Sequence, residues 1–270
     1  MKAGIYFNKK YLTEEAARVN EISNKLRANG VTCKTVSVFA DLDGLDILFV
    51  LGGDGTILAV ASECAKRKIK ILGINCGHLG FLAETELERA DDAVALVCGG
   101  KYKTQKRSML EINCGVKTYY ALNDIVIQRS TGGNGFSNTV NLRAEIDGST
   151  VDNFTADGIV VSTPTGSTAY SLSAGGSILT PDINAFIMTP ICAHSLHSRP
   201  VVYNDSSVLE IFPTEVNTPL NIVVDGKVIG ELGAKSSVKV KKADCYVEFI
   251  TRSDKNFFKK LLIKLNIWSK

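Results

Sequence analysis

Five consecutive apolar residues, Ile47-Leu48-Phe49-Val50-Leu51, run straight into Gly52-Gly53-Asp54-Gly55-Thr56. An uninterrupted apolar pentad has no wet face, so it predicts a strand buried on both sides. The three glycines let the main chain turn sharply and let a bulky group come close to it. A helical stretch, Ile57 to Ala65, follows. A strand, a glycine turn and a helix start are how α/β proteins often hold phosphate-bearing ligands. Asp54 is the one side chain in the turn able to do acid–base work. A tight turn around a solvated Asp fits the same five residues, so the rest of the chain has to decide.

The first hundred residues alternate strand and helix. Gly4–Phe7 reads as a strand, and Thr13 can cap a helix with Ala16, Val19, Ile22 and Leu26 on one stripe and Gly30 as its stop. Val31–Val38 alternates as a strand, Ile69–Ile74 is a second buried one, and Leu87 to Val97 is a helix. Apolar strands separated by helices predict a parallel sheet covered on both faces. After Gly99-Gly100 helical periodicity mostly vanishes. Short strand-like runs follow at Ser108–Asn113, Leu122–Gln128, Val140–Ile146, Gly158–Ser162, Val208–Phe212, Ile222–Val224 and Ser237–Val240, punctuated by turn residues such as Ser130-Thr131-Gly132-Gly133 and Asp147-Gly148. These predict a mostly antiparallel, sandwich-like domain. One short helix is expected over Thr165–Ala174, and the tail past residue 250 is helical again. The expected organisation is an α/β domain of residues 1–99 plus about 251–270, and a mostly β domain of residues 100–250.

Composition excludes several classes. The chain has 270 residues, 45% hydrophobic and 22% charged, enough for a real core and unlike a disordered chain. No apolar run approaches the roughly 20 residues of a membrane helix, and the N-terminus lacks a signal-peptide core, so a cytoplasmic protein is expected. The seven cysteines are odd in number and hold no Cys-x-x-Cys pair, which argues for reduced thiols rather than disulfides or zinc. His194 and His197 could share a helical face but have no evident third ligand, so no metal site is assigned.

A net charge of +3 makes no demand for nucleic acid. It is unevenly spread: from Lys235 on, ten Lys/Arg face three Asp/Glu, giving +7 there and −4 elsewhere. Part of that excess, Val238-Lys239-Val240-Lys241, alternates like the wet face of an edge strand. The apolar-basic tail Asn256–Trp268 could lie on a membrane, but its length and aromatics favour docking into a groove of its own domain, with no stable membrane association.

Three further stretches carry polar groups suited to a ligand. Leu122-Asn123-Asp124-Ile125 interrupts an apolar strand with an amide and a carboxylate, which can hold a ribose or an adenine edge; Asn-Asp is as often a turn. Thr155 to Gly176 runs a strand into a hydroxyl-rich turn with Tyr170 for stacking and a helix start favourable to an anion. Val223-Val224-Asp225-Gly226-Lys227 puts a carboxylate at a turn and by itself says hairpin. There is no Gly-x-x-x-x-Gly-Lys-Ser/Thr loop and no Gly-x-Gly-x-x-Gly fingerprint, so a nucleotide would be bound by other means.

The words Gly52–Thr56, Gly77-His78-Leu79-Gly80-Phe81, Leu122-Asn123-Asp124, Thr155–Gly176, Pro190–Leu196, Arg199-Pro200 and Asp225-Gly226 occur in the order found in NAD kinases, which this chain resembles from residue 47 to 227. Gly-Gly-Asp-Gly-Thr alone is shared with lipid kinases and phosphofructokinases; Thr155–Gly176 singles out NAD kinase. The resemblance implies transfer of the γ-phosphoryl group of ATP to the 2′-hydroxyl of the adenosine ribose of NAD, with a divalent cation such as Mg²⁺ accompanying ATP. It implies Asp54 as proton acceptor and Gly55 as backbone access to phosphates. Phe81 would border the adenine, Asn123 and Asp124 would hold NAD, and Asp157 would contact ribose or nicotinamide. Thr155, Thr168, Ala169, Tyr170, Ser171, Leu172 and Ser173 would belong to the NAD pocket. Asp225 would reach in from a neighbouring subunit of a homodimer or homotetramer. Ala193 departs from the proline many members carry. Polyphosphate is a second possible donor. A lipid kinase of the same superfamily and a non-catalytic NAD(P) sensor are the competing readings.

Overall fold

The computed structural model describes residues 1–7, 14–77, 80–83, 85–130, 139–195, 197–215, 219–251 and 257–268. Thr13, His78, Leu79, Leu196 and the loop 131–138 lie outside the described residues. The chain divides into two compact units, one of Met1–Arg107 with Cys245–Lys270 and one of Ser108–Asp244. The divisions fall inside strands, at 107/108 and 244/245 rather than at the composition breaks near 99 and 250. A strand has no linker composition, so sequence cannot mark a boundary within one.

The first unit begins with β1 (Lys2–Phe7), α1 (Glu14–Ala28), β2 (Thr32–Thr35), β3 (Ile47–Leu51), α2 (Asp54–Arg67), β4 (Lys70–Asn75), the two-residue β5 (Thr85–Glu86) and α3 (Ala90–Cys98). β2, β1, β3 and β4 lie in that order and pair in parallel. All five residues of β3 are buried, as its lack of a polar face requires. α2 buries Ile57, Val60, Ala61 and Cys64, an i, i+3, i+4, i+7 stripe. α1 buries Val19, Ile22 and Leu26. Each large aliphatic side chain so buried contributes about 1.5–3 kcal/mol. The expected strand Val31–Val38 is shorter, because Phe39–Leu42 turns into a 3-10 helix.

β6 (Lys103–Cys114) carries the chain into the second unit, where β7 (Lys117–Ala121) pairs back on it. The unit continues with β8 (Asp124–Arg129), β9 (Val140–Ile146), β10 (Ser149–Ala156), β11 (Gly158–Ser162), α4 (Tyr170–Ser173), β12 (Ala185–Ile191), β13 (Val201–Asn204), β14 (Leu209–Glu215), β15 (Leu220–Val224), β16 (Lys227–Leu232) and β17 (Val238–Thr251). One sheet runs β13-β12-β11-β8-β15-β16 and is antiparallel throughout. In the other, β10, β9, β14 and the first residues of β17 pair in that order, also antiparallel. Ile127, Ile159, Phe186 and Ile222 of the first sheet share one buried cluster with Leu142, Phe154, Ile211 and Val240 of the second. That is a β-sandwich core.

Two expectations are corrected here. Val238–Lys241 alternates buried and exposed as expected, but β17 pairs with both β14 and β6, so it is an interior strand and not an edge. Its lysines are occupied on the wet face, Lys239 on Glu210 at 3.5 Å and Lys241 on Glu111 at 3.2 Å. The helix expected over Thr165–Ala174 is a 3-10 turn, Gly166–Thr168, and a single α turn, α4. One turn sums too few peptide dipoles to offer an anion a useful helix start.

β17 ends in the first unit, where Glu248 and Phe249 pair in parallel with Lys70 and Ile71 of β4. The last element is α5 (Phe257–Trp268). Its aromatics do not all fill a groove, since Phe258 is 69% exposed. Lys260 and Lys264 turn inward instead. Lys260 Nζ lies 3.4 Å from both Phe81 O and Ala83 O, and Lys264 Nζ sits 5.0 Å from the Phe81 ring centroid. Among the described residues, no helix is long and apolar enough to cross a membrane.

Candidate active site

In the first unit the site is the turn between β3 and α2. Gly52 has φ +147, and a Cβ there would stand 2.4 Å from Thr56 Oγ1, so glycine is required twice over. Gly53 and Gly55 differ: a Cβ on either meets nothing within 4 Å. Neither packing nor conformation demands glycine at these two positions. The missing side chains leave the first turn of a 14-residue helix bare on its outer side. There the partial positive end of the helix favours an anion.

Asp54 is the first residue of α2 and is half-buried. Its carboxylate is fixed from across the turn. Phe81 N–H donates to Oδ2 at 2.8 Å and Leu82 N–H donates to Oδ1 at 3.1 Å. Gly80 allows this approach, because a Cβ there would lie 2.0 Å from Asp54 Oδ1. Each carboxylate oxygen has two lone pairs, so two N–H bonds orient the group and leave it able to accept from a further donor. Lys260 lies against the carbonyl side of the same loop. The peptide joining Phe81 to Leu82 thus receives the ammonium on its oxygen and donates its N–H to Asp54. Neither loop contact was legible in sequence. Two lysines four apart in an apolar tail were the only signal for Lys260 and Lys264. Asn75, at the end of β4, was also missed: it is 4% exposed and its Oδ1 has no hydrogen-bond partner. A polar residue closing an apolar strand was the available clue.

In the second unit, Asn123 is half-buried and Asp124 is 6% exposed at the start of β8. Burial, and then the neighbouring Asp225 carboxylate, push the Asp124 carboxyl up to about 7. Burial pushes Asp225 up as well, but three backbone N–H bonds act against this at Asp225. The proton of the pair therefore rests on Asp124. Asp157 pairs with Arg129 at 3.0 Å. Partial burial, and then the fields of Cys192, Asp157 and Asp124, push the phenol of the 39% exposed Tyr170 up. Tyr170, Asp157 and Asp124 are therefore neighbours.

The rest of the hydroxyl-rich stretch is more inward than its composition suggests. Ser171 is fully buried and shares a 3.0 Å hydrogen bond with Thr189. Thr168 is buried, with its hydroxyl 3.4 Å from Thr165 O. Ala169 and Leu172 are half-buried, while Ser173 and Thr155 are exposed, the latter donating to Asn141 Oδ1 at 2.7 Å. Asp225 is engaged within its own chain: both its oxygens accept N–H groups of Leu122, Asn123 and Asp124. That differs from the expectation that it reaches in from a neighbouring subunit.

Two family models match along the chain: the ATP-NAD kinase N-terminal domain over residues 5–102 and the ATP-NAD kinase C-terminal domain over residues 122–252. The chain belongs to the NAD kinase family. It is 39% identical to a NAD kinase of Caldanaerobacter subterraneus over 261 residues, 94% of this chain and 87% of the relative. It is 40% identical to a NAD kinase of Clostridium botulinum over 249 residues, 87% of this chain and 86% of the relative. Among solved structures, a yeast NADH kinase complexed with NADH superposes with a TM-score of 0.84 at 26% identity, over 99% of this chain and 89% of that one. A NAD kinase of Archaeoglobus fulgidus in complex with ATP gives 0.81 at 24% identity, over 98% and 99%, and speaks for the fold. This NAD kinase family member therefore has the expected fold class, an α/β unit with a parallel sheet and a mostly antiparallel β unit.

Proposed function

We propose that this NAD kinase family member moves the γ-phosphoryl group of ATP to the 2′-hydroxyl of the adenosine ribose of NAD, giving NADP. The observation that carries the reading is Asp54: one carboxylate at a glycine-bare helix start, aimed by two loop N–H groups. Phosphoryl transfer passes through a loose transition state, so catalysis is positioning and charge neutralisation. A ribose hydroxyl is a poor nucleophile. The Asp54 carboxylate accepts its hydrogen bond, orients the oxygen for in-line attack, and takes the proton as the O–P bond forms and the bond to the ADP leaving group breaks. The open main chain at Gly53 and Gly55 takes the phosphates. Asn123, Asp124, Asp157 and Tyr170 hold NAD, with Phe81 at the adenine, and Thr155 and Thr168–Ser173 shape the pocket.

Among the described residues no three His, Cys, Asp or Glu side chains converge. A magnesium ion fits as part of the MgATP substrate, held by phosphate oxygens and water. Polyphosphate as a second donor, assembly as a homodimer or homotetramer, and residence in the cytoplasm belong to the same proposal and rest on the family resemblance.

The test is an endpoint assay coupled to an NADP-specific dehydrogenase, with ATP, polyphosphate or neither, on NAD and on NADH. ATP-dependent NADP is expected from the wild type. Asp54→Asn should keep NAD binding and lose roughly 10²–10⁴-fold in turnover. Wild-type turnover in that variant would remove Asp54 from its role.

A further inference from the structure

Leu122, Asn123 and Asp124 have six main-chain polar groups, and all six are taken. Asp225 Oδ2 accepts Leu122 N–H at 2.8 Å, and Oδ1 accepts Asn123 N–H at 2.8 Å and Asp124 N–H at 3.1 Å. Leu122 O accepts the Thr163 hydroxyl at 2.6 Å. Asn123 O accepts Thr163 N–H at 2.9 Å and the Ser162 hydroxyl at 3.2 Å. Asp124 O accepts Asp225 N–H at 3.0 Å. The three N–H groups of this tripeptide are spent on Asp225 and cannot donate to a ligand, and the clamp sets where its side chains start.

Asp225 occupies an unfavourable position to do this. Its φ is +45, in the left-handed region, next to Gly226 at φ +79. It is half-buried and has a second carboxyl, that of Asp124, for a neighbour. A hairpin alone would be served by Asn or Gly. Three converging N–H groups answer the negative charge specifically, and a neutral amide cannot, since its NH₂ end would oppose a donor.

We propose that Asp225 is a positioning residue for substrate recognition: it fixes the Leu122–Asp124 main chain so that the Asn123 and Asp124 side chains are set for NAD. The inference rests on the reading that this pair holds the dinucleotide. It replaces contact between Asp225 and substrate by action through the tripeptide.

The test is Asp225→Asn in the full chain, with NAD and ATP binding measured separately by calorimetry. NAD affinity should fall about tenfold or more, as loss of one or two buried charge-assisted bonds implies, with ATP affinity within about twofold of wild type. A pH series adds a readout that a merely structural role would not move. The charged and titratable groups facing Asp124 are Asp225 from the β15–β16 turn and Tyr170 from α4; Ser162, opposite on β11, is uncharged. Removing the Asp225 anion should move the midpoint of the pH dependence of NAD affinity to lower pH than in the wild type, because that charge, after burial, helps hold the Asp124 carboxyl up. Thr163→Val, which removes the clamp from the Leu122 carbonyl, should weaken NAD in the same selective way, and keeps the test decisive if Asp225→Asn does not fold. Equal losses for NAD and ATP, an unchanged NAD affinity or an unmoved midpoint would overturn the proposal. A wild type that binds no NAD would overturn the dinucleotide reading with it.

Discussion

Asp54 and Asp225 do opposite jobs with the same chemistry. Both carboxylates accept main-chain N–H groups from a segment distant in sequence. At Asp54 the loop serves the acid: two N–H groups of residues 81 and 82 aim a half-exposed carboxylate beside a bare helix start. At Asp225 the acid serves the loop: three N–H groups draw one carboxylate, which then fixes residues 122–124. An aspartate next to a glycine is thus no guide to whether it is aimed by a loop or braces one. Neighbouring space decides it. A Cβ on Gly53 or Gly55 would meet nothing, whereas one on Gly166, beside the braced tripeptide, would sit 2.3 Å from Asn123 O.

The contrast can be broken most violently at Gly80. Gly80→Ala puts a Cβ where Asp54 Oδ1 now stands, so the carboxylate must move. Turnover should drop by about 10²-fold or more, as misplacement of a general base implies, with NAD affinity nearly kept; steady-state kinetics beside calorimetry checks both. The next test removes the neighbour of Asp225. Asp124 has its folded-state carboxyl raised to about 7, whereas the unfolded chain ionises near 4. Folding therefore takes up a proton between those values, and wild-type stability should fall as pH rises through that window and level off above it. Asp124→Asn cannot titrate, so its denaturant midpoint should vary less over pH 4–7 and exceed that of the wild type at pH 8. Gly166→Ala presses on the braced tripeptide from its carbonyl side and should cost about 1–3 kcal/mol, the usual range for overpacking, read as a lower thermal midpoint with weaker NAD binding. The mildest change is Lys260→Met, which removes the ammonium from Phe81 O and Ala83 O. A loss of about threefold in kcat with NAD KM unchanged is expected, in keeping with one long, partly exposed hydrogen bond on each carbonyl.

Legibility in sequence followed the same division. β3, β9 and β11 match their expected bounds end to end, because each is a continuous or alternating apolar run closed by turn residues. β7, β10, β12, β13 and β16 were not read, and for two of them the reason is exposure. Ser149–Ala156 exposes most of its side chains and Lys227–Leu232 is an outer strand exposed along nearly its whole length, so neither has a buried face to write a pattern. Asp54 and the Asn123-Asp124 pair stood out because polar letters in apolar surroundings are visible. What aims them was not, because a main-chain N–H has no letter of its own. Asp225 and the tripeptide it grips lie about a hundred positions apart. Lys260 and Phe81 are separated still further. Such pairings come from topology, which hydropathy does not record.

The late half of β17 has a consequence for how the molecule is made. Glu248 and Phe249 supply the strand beside β4, yet they leave the ribosome after the whole of Ser108–Asp244. Until then the nascent N-terminal sheet offers the unpaired Lys70–Ile71 end of β4 to any passing strand, a standing invitation to misassembly. The portion of the chain that bears Asp54 is thus begun first and finished last. A gene fragment stopping at residue 107 would encode an incomplete sheet, not a miniature enzyme.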